Sequence, residues 1–376
     1  MAAKVAATSE DLKYWLAFNR VPGIGRVRCS LLEGYFGSLG EAWQAGLGEL
    51  HAAGLDNRTA NAIVTARSQI VPENELELLA RHKVQAMTWH DPGYPRLLKE
   101  IDDLPPVLYV RGEPLSQEEL CIAVVGTRRP TAYGRQVAEE LSHGLARSGV
   151  TVVSGLARGI DAAAHKAALE ASGRTVAVLA SGLDVIYPRE HAKLALQISE
   201  RGALVSDYPL GTQPRGDYFP RRNRIMSGLS LGVVVVEGDM QSGAMITARL
   251  AAEQNREVFA VPGSIFSPQS RGPNSLIQEG AKLVRNVEDI LEELNLSMVP
   301  QQLELKEPVA ATDTEVTLMR YLTHEPLHVD EVCHRSGLPI ATVSSILAML
   351  ELKGLARQIG PMSYIKARVG PAVNRG

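Results

Sequence analysis

The sequence predicts an α/β fold: a doubly wound parallel sheet, preceded by a small helical domain and followed by a helical domain that ends in a hairpin. Three observations predict it. From Cys121 to Val284 short apolar segments alternate with helical periods, the spacing of strand–helix units joined by right-handed crossovers. Ala, Leu, Val and Gly dominate, while only five Phe and three Trp occur, which suits an α/β core. The run Val233–Val236 is apolar at every position, as a strand buried on both faces of a parallel sheet requires.

The chain has 376 residues, enough for two or three domains. Its apolar share of 45% is ordinary for a globular protein. The formal net charge is −3, so nucleic-acid binding must rest on a local basic patch and not on bulk charge. Cys29, Cys121 and Cys333 are odd in number, far apart and without metal-ligand spacing. They argue against a disulfide framework and read as small core residues in a reduced compartment. No apolar run approaches a membrane span, and Met1–Asp11 lacks a hydrophobic signal region. A cytoplasmic protein with no membrane span is expected.

Residues 1–82 read as a helical domain. Leu12, Trp15 and Leu16 have helical spacing, Pro22-Gly23-Ile24-Gly25 turns tightly, and Val27, Leu31, Leu32, Tyr35 and Phe36 restart the period. The unit is either a helix-hairpin-helix (SAM-like) module whose hairpin N–H groups meet a phosphate, or a bundle that uses glycine only to turn. Helices near Ser38–Ala53 and Asn57–Ile70 complete it. There is little Lys or Arg in Ser38–Ala53, so no strong DNA face is visible. A further helix spans Pro72–His82.

Residues 83–295 carry the sheet. Val84–Trp89 is extended and Val107–Val110 a strand; the prolines between them exclude a long helix. Strands then follow at Cys121–Val125, Val150–Val153, Arg174–Leu179 and Ala203–Val205. The helices Ala132–Ser148, Arg158–Ala171 and Glu190–Ser199 connect them. An arginine-rich loop, Phe219–Ser230, leads into Val233–Val236. The helix Gly243–Asn255, the strand Glu257–Ala260, a helix near Asn274–Glu279 and the strand Lys282–Val284 close the domain. Ligands of such sheets bind outside the carboxyl ends of the strands, so the chemistry should stand in the loops that follow strands.

Those loops are distinctive. The first, Gly126-Thr127-Arg128-Arg129, has an arginine where a dinucleotide-binding turn needs its second glycine. That disfavours a nicotinamide or flavin dinucleotide, and no cofactor is expected. An extended phosphodiester gripped by Arg128 fits better. The second loop, Ser154–Asp161, places His165 four residues after Asp161 on one helix face. The two are either a metal or acid–base pair or, as the preferred reading, part of a structural hydrogen-bond arrangement near a helix start. The third loop, Ser181–Pro188, is followed by Lys193, which either reaches a phosphate or is merely exposed. Before the valine strand stand Arg221, Arg222 and Arg224 with Asn223, expected at the rim of the sheet. After it, Ser242 caps a helix and Gly243 admits a ligand to the backbone. A helix N-terminus beside an arginine cluster is an anion site. The bland alternative is a solvated loop making surface ion pairs.

Residues 296–311 are polar and irregular and read as a linker. Residues 312–376 give helices at Glu315–Leu322, Val329–Arg335 and Ile340–Lys353, then a hairpin of Leu355–Ile359 and Ser363–Ala367. This is a winged-helix pattern. Its third helix has no Arg or Lys before Lys353, so it is expected to contact protein, or DNA weakly, and not to read a major groove.

Taken together, Gly126-Thr127-Arg128, Ser154–Asp161 with His165, Gly182-Leu183-Asp184 with Tyr187-Pro188, Phe219–Arg224, Ser242-Gly243 with Thr247-Ala248, and Val261-Pro262-Gly263 with Gly272-Pro273-Asn274 resemble the DNA-processing protein A (Smf) family. The resemblance covers roughly residues 85 to 295, and the flanking modules are similar too. It implies an extended Rossmann-like doubly wound parallel sheet with an N-terminal SAM-like helical domain and a C-terminal winged-helix domain. It implies a homodimer, with no catalytic residues and no metal, that binds single-stranded DNA in a basic pocket. Such a protein shields the strand and loads a RecA-type recombinase during natural transformation. Carried onto this chain, Arg128 with Gly126 and Thr127 clamps a phosphate, and Arg221, Asn223 and Arg224 line the pocket. Ser242, Gly243 and Thr247 offer donors to another phosphate. Gly155 and Gly159 keep the backbone close to the ligand. Phe219 is either a base-stacking residue or core.

Two other classes compete with this reading. A nucleotide-hydrolysing Rossmann enzyme of the lysine-decarboxylase-like group uses a Pro-Gly-Gly-x-Gly-Thr turn with a following glutamate. Here Asp239–Arg249 lacks that glutamate, and no paired carboxylates replace it. A double-strand DNA-binding regulator acting through the winged helix is disfavoured by its uncharged third helix.

Overall fold

The computed structural model describes residues 9–296, 313–323, 326–352, 355–360 and 362–366. They form two compact units, 1–299 and 300–376. The linker expected over 296–311 lies, except for Leu296, outside the described residues, as does Lys353.

The first unit begins with helices at Ser9–Arg20, Arg26–Phe36, Leu39–Gln44, Leu47–Ala52, Asn57–Arg67 and Pro72–His82. The single helix expected over Ser38–Ala53 is two, because the chain extends at Ala45 and Gly46 and restarts with Glu49 bonded back to the Gly46 N–H at 2.7 Å. The core of this bundle is continuous with one side of the sheet domain: Trp15, Phe18 and Trp43 belong to the same apolar cluster as Val107, Tyr109, Leu179 and Leu204. Asn19 donates from Nδ2 to the Tyr109 hydroxyl at 3.2 Å and to the Asp207 carbonyl at 3.1 Å across that junction.

Nine strands follow: β1 Gln85–Thr88, β2 Val107–Gly112, β3 Cys121–Val125, β4 Thr151–Ser154, β5 Thr175–Val178, β6 Ala203–Ser206, β7 Gly232–Val235, β8 Glu257–Ala260 and β9 Lys282–Leu283. Their order is β1-β2-β6-β5-β4-β3-β7-β8-β9. The seven strands from β6 to β9 pair in parallel, but β1–β2 and β2–β6 are antiparallel. The sheet is therefore mixed at one edge, not parallel throughout. The proline-rich segment after β1 builds no crossover helix of the length a parallel return needs. Both faces are covered. Cys121, Ala123 and Val125 of β3 face one apolar cluster, and Ile122 and Val124 the other; Val233 and Val235 of β7 likewise oppose Val234 and Val236.

The arginine-rich segment is not a loop. Tyr218–Leu229 is a helix, and Arg222 and Asn223 are buried in it. Pro220 lies in its first turn, where a missing N–H costs nothing. The second unit contains helices Asp313–Met319, Val329–Ser336 and Ile340–Leu352, with strands β10 Leu327–His328, β11 Ala356–Gly360 and β12 Ser363–Lys366 in the antiparallel order β10-β12-β11. Leu318, Val329, Val332, Val343, Leu347 and Leu350 fill its core. This is the expected winged helix.

Candidate nucleic-acid interface

From β3 the chain winds one way to β4, β5 and β6, then returns to lay β7 against the other side of β3. Such a reversal leaves a crevice outside the carboxyl ends of the strands. A cleft of about 390 Å³ opens there. Its walls are Gly126, Thr127 and Arg128 after β3, Ala157 and Asp161 after β4, and Ser242, Gly243 and Thr247 after β7. Phe219, Arg222, Asn223 and Met226 of one helix, and Gln269 after β8, complete it.

The Gly-Thr-Arg turn is clamped from two sides. Thr127 donates its N–H to the Glu237 carbonyl at 2.7 Å, and its own carbonyl accepts from Ile160 N at 3.2 Å. Glu237 is only 2% exposed. Its carboxylate accepts from Thr131 N at 2.9 Å and Thr131 Oγ1 at 2.5 Å, at the N-terminus of the helix Ala132–Arg147, where a helix dipole favours negative charge. Arg128 itself is exposed, and its guanidinium carbon lies 5.3 Å from the centre of the Phe219 ring. The Phe219 ring is in turn 5.6 Å from Tyr187. The aromatic face and the arginine thus share one wall.

The floor is Arg222, 4% exposed. Its Nη1 donates to the Gly155 carbonyl at 2.8 Å and to the Val178 carbonyl, while its buried Nε has no protein partner. Burial lowers its pKa to about 10, so it stays charged at neutral pH. Asp161 beside it is buried and accepts from Ala157 N at 3.3 Å. Burial raises its pKa, against the pull of Arg222.

The helix Gly243–Glu253 presents its N-terminus to the cleft. Ser242 stands at the cap position but makes no capping bond, and its buried Oγ has no partner. A Cβ on Gly243 would meet nothing within 4 Å, so that glycine faces open space. Asn223 Nδ2 at 3.3 Å and Thr247 Oγ1 at 3.2 Å both donate to the Gly243 carbonyl, and they hold this first turn in place. The cleft thus gathers an unpartnered guanidinium N–H, an unpartnered hydroxyl, helix N-terminal N–H groups and one exposed arginine. Each is a donor of the kind that binds phosphate oxygens.

Of the residues singled out from sequence, Gly126, Thr127, Arg128, Phe219, Asn223, Ser242, Gly243 and Thr247 line the cleft. Five do not. Gly155 makes room for a side chain and not for a ligand, since a Cβ there would lie 2.4 Å from the Arg222 guanidinium. Gly159 has φ +81°, and a Cβ would lie 2.3 Å from the Thr127 carbonyl; it lets two loops touch. Arg224 turns away to Asp207 at 2.7 Å and Asp103 at 3.2 Å. Arg221 and Lys193 are exposed outside the cleft walls. The physical reason for the arginines is helical: residues 219, 222, 223 and 226 form one stripe, and 221 and 224 fall off it. That spacing was visible in the sequence and would have chosen Arg222 and Met226. Nothing local marks Ala157 or Gln269.

Asp161 and His165 do not bond to each other. His165 is fully buried, with Nδ1 2.7 Å from Thr175 Oγ1, whose own proton goes to the Val152 carbonyl. The imidazole is therefore the Nδ1–H tautomer, with Nε2 unpartnered. Burial, then the neighbouring His191 and Arg222 charges, lowers its pKa to about 3. A depressed native pKa means that the unfolded state binds the proton first. Stability from this group is complete above about pH 6.5 and falls by about 1.4 kcal/mol per unit as pH drops toward 3. Urea unfolding at pH 7 and pH 5 should show wild type losing about 2 kcal/mol more than His165→Gln; equal losses would remove His165 from the account. Among the described residues no group of three or more His, Cys, Asp or Glu side chains is placed to hold a metal, and no helix is long and apolar enough to cross a membrane.

Comparison with known proteins agrees with this architecture. The family model of DNA recombination-mediator protein A matches residues 85–295, and that of the DprA winged helix domain matches 303–360. The chain is 36% identical to Protein Smf of Synechocystis over 95% of its length and 99% of that protein's. It is 51% identical to the DNA processing protein DprA of Bacillus subtilis over 54% of the chain and 68% of that protein. Among solved structures, DNA processing protein A of Streptococcus pneumoniae superposes with a TM-score of 0.63 at 35% identity, covering 76% of this chain and 98% of that one. The Helicobacter pylori DNA processing protein A, described for its single-stranded DNA binding mode, superposes with a TM-score of 0.50 at 31% identity, covering 56% and 96%.

Proposed function

Because the chain belongs to the DNA recombination-mediator protein A family, we propose that it binds single-stranded DNA in the cleft at the reversal of the sheet. It shields that strand and loads a RecA-type recombinase onto it during natural transformation, acting as a homodimer. The observation that carries the binding step is that Arg222, with its unpartnered Nε, and Ser242, with its unpartnered hydroxyl, line the same cleft. Buried donors without acceptors are costly, and a phosphate oxygen supplies acceptors for both. Arg128 closes over a second phosphate from the exposed side. Phe219 offers a ring on which any base can stack, which makes binding tolerant of sequence. The Helicobacter relative's reported single-strand binding mode supports the same reading.

The test is fluorescence anisotropy with single- and double-stranded oligonucleotides over a salt series, for wild type and Arg128→Ala. Tight single-strand binding, weaker duplex binding and a negative salt slope are expected, with the slope shrinking by about 0.7 in the variant, the share of one phosphate contact. Equal affinity for both forms, or an unchanged variant, would sink the assignment. A strand-exchange assay with purified recombinase then tests the loading step.

A further inference from the structure

We propose that the loop after β8 carries a second base-stacking platform, Phe266, which receives a nucleotide leaving the cleft beyond the Ser242 end; this rests on the single-strand reading above. Phe266 is 89% exposed and Ile265 79%. Scattered exposed apolar residues are normal, but an adjacent pair at a loop tip beside an anion-binding cleft calls for an occupant. The tip is held rigidly. Gly263 and Asn274 exchange two hydrogen bonds, at 3.2 and 3.0 Å. Ser267 N donates to the Ser264 carbonyl at 3.0 Å, and Phe266 N to Ser264 Oγ at 3.3 Å.

The loop is continuous with the cleft. Gln269, three residues after Phe266 and so at most ~11 Å of chain away, lines the cleft. Its carbonyl accepts from Gly238 N at 2.7 Å, next to the residue that clamps the Gly-Thr-Arg turn. Tyr133, at the start of the helix after that turn, donates its hydroxyl to the Pro262 carbonyl at 2.8 Å. The loop is thus bonded to the cleft's own loops. Phe219 belongs to the wall shared with Arg128, and Phe266 to the loop beyond Gln269. A strand held between them by phosphates would have one ring for a base at each end. The occupant chosen is a nucleobase, because a free aromatic face next to phosphate donors matches the alternation of base and phosphate along a strand.

The experiment compares wild type, Phe266→Ala and Phe266→Trp binding fluorescent oligothymidylates of about 4 and about 16 nucleotides, lengths that span the site sizes of such grooves. Phe266→Ala should weaken the long oligonucleotide about tenfold, within the effect of losing one stacked base, and the short one less than twofold. Phe266→Trp should retain affinity, and its emission should be quenched by the long oligonucleotide beyond any change in wild type. Equal loss at both lengths, no loss at either, or an effect confined to self-association by sedimentation would overturn the platform. Failure of wild type to bind the long oligonucleotide would instead refute the single-strand reading itself.

Discussion

Replacing Arg222 with alanine is expected to destabilise the protein by about 3–5 kcal/mol, the usual cost of stripping one partner from a buried charge arrangement, and to remove single-strand binding from what remains folded. The substitution orphans the Gly155 and Val178 carbonyls. It also strips buried Asp161 of the strongest positive charge acting on it, leaving backbone N–H donors and the weaker pull of Arg128, and opens a void under the cleft. Urea unfolding measures the first effect and anisotropy at saturating protein the second. Arg222→Lys separates them: it keeps a charge but cannot present a planar fork to two carbonyls while leaving Nε free. It should recover part of the stability and little of the affinity. A loss below about 1 kcal/mol for Arg222→Ala would mean that the guanidinium is not an organising element.

Gly159→Ala should be nearly as severe, although it adds a single methyl group. Its φ of +81° is unfavourable for any side chain, costing about 1–2 kcal/mol. Its Cβ would also lie 2.3 Å from the Thr127 carbonyl and 2.8 Å from the Arg128 carbonyl carbon. Backbone atoms cannot swing aside as a side-chain end does. The Gly-Thr-Arg turn must move, and Arg128 moves with it. A stability loss of roughly 3 kcal/mol or more and at least a tenfold weaker grip on single strands are expected. Gly243→Ala is the control. Its Cβ meets nothing within 4 Å and the position opens a helix, so the fold should be unchanged or gain up to about 1 kcal/mol. If both glycine variants lose stability alike, the close approach at Gly159 is not what fixes the turn.

The parallel strands were legible because their chemistry is local. Cys121–Val125 and Glu257–Ala260 have the bounds the sequence predicts, each a short apolar run between turn residues. The turn after β3 was legible for the same reason: an arginine stands where a dinucleotide site needs glycine. The helix over Phe219–Arg224 was not legible, because four consecutive polar residues, 221–224, read as a loop at the rim of the sheet. The helical stripe Phe219, Arg222, Asn223 and Met226 is apparent only if burial of polar groups is allowed, and that burial depends on Gly155 and Val178, distant in the chain. Cysteine chemistry followed composition more directly. Cys29 and Cys121 are buried and free, and burial pushes the Cys29 thiol up to about 12, so both are inert core residues.

The sequence by itself determined that the turns after β3 and β7 stand at the carboxyl end of the sheet, where the cleft lies, because strand periodicity and the carboxyl-end rule depend only on residues near one another in the chain. Only the tertiary structure decided which arginines line the cleft. Arg128 and Arg222 line the cleft, Arg224 is held by Asp207 and Asp103, and Gly155 and Gly159 serve packing. It also decided that β2 runs antiparallel to both its neighbours, β1 and β6, at the sheet edge. The physical reason is the same in each case: a side chain's partner, like a strand's neighbour, is set by contacts between residues far apart in sequence, and local pattern carries no record of them.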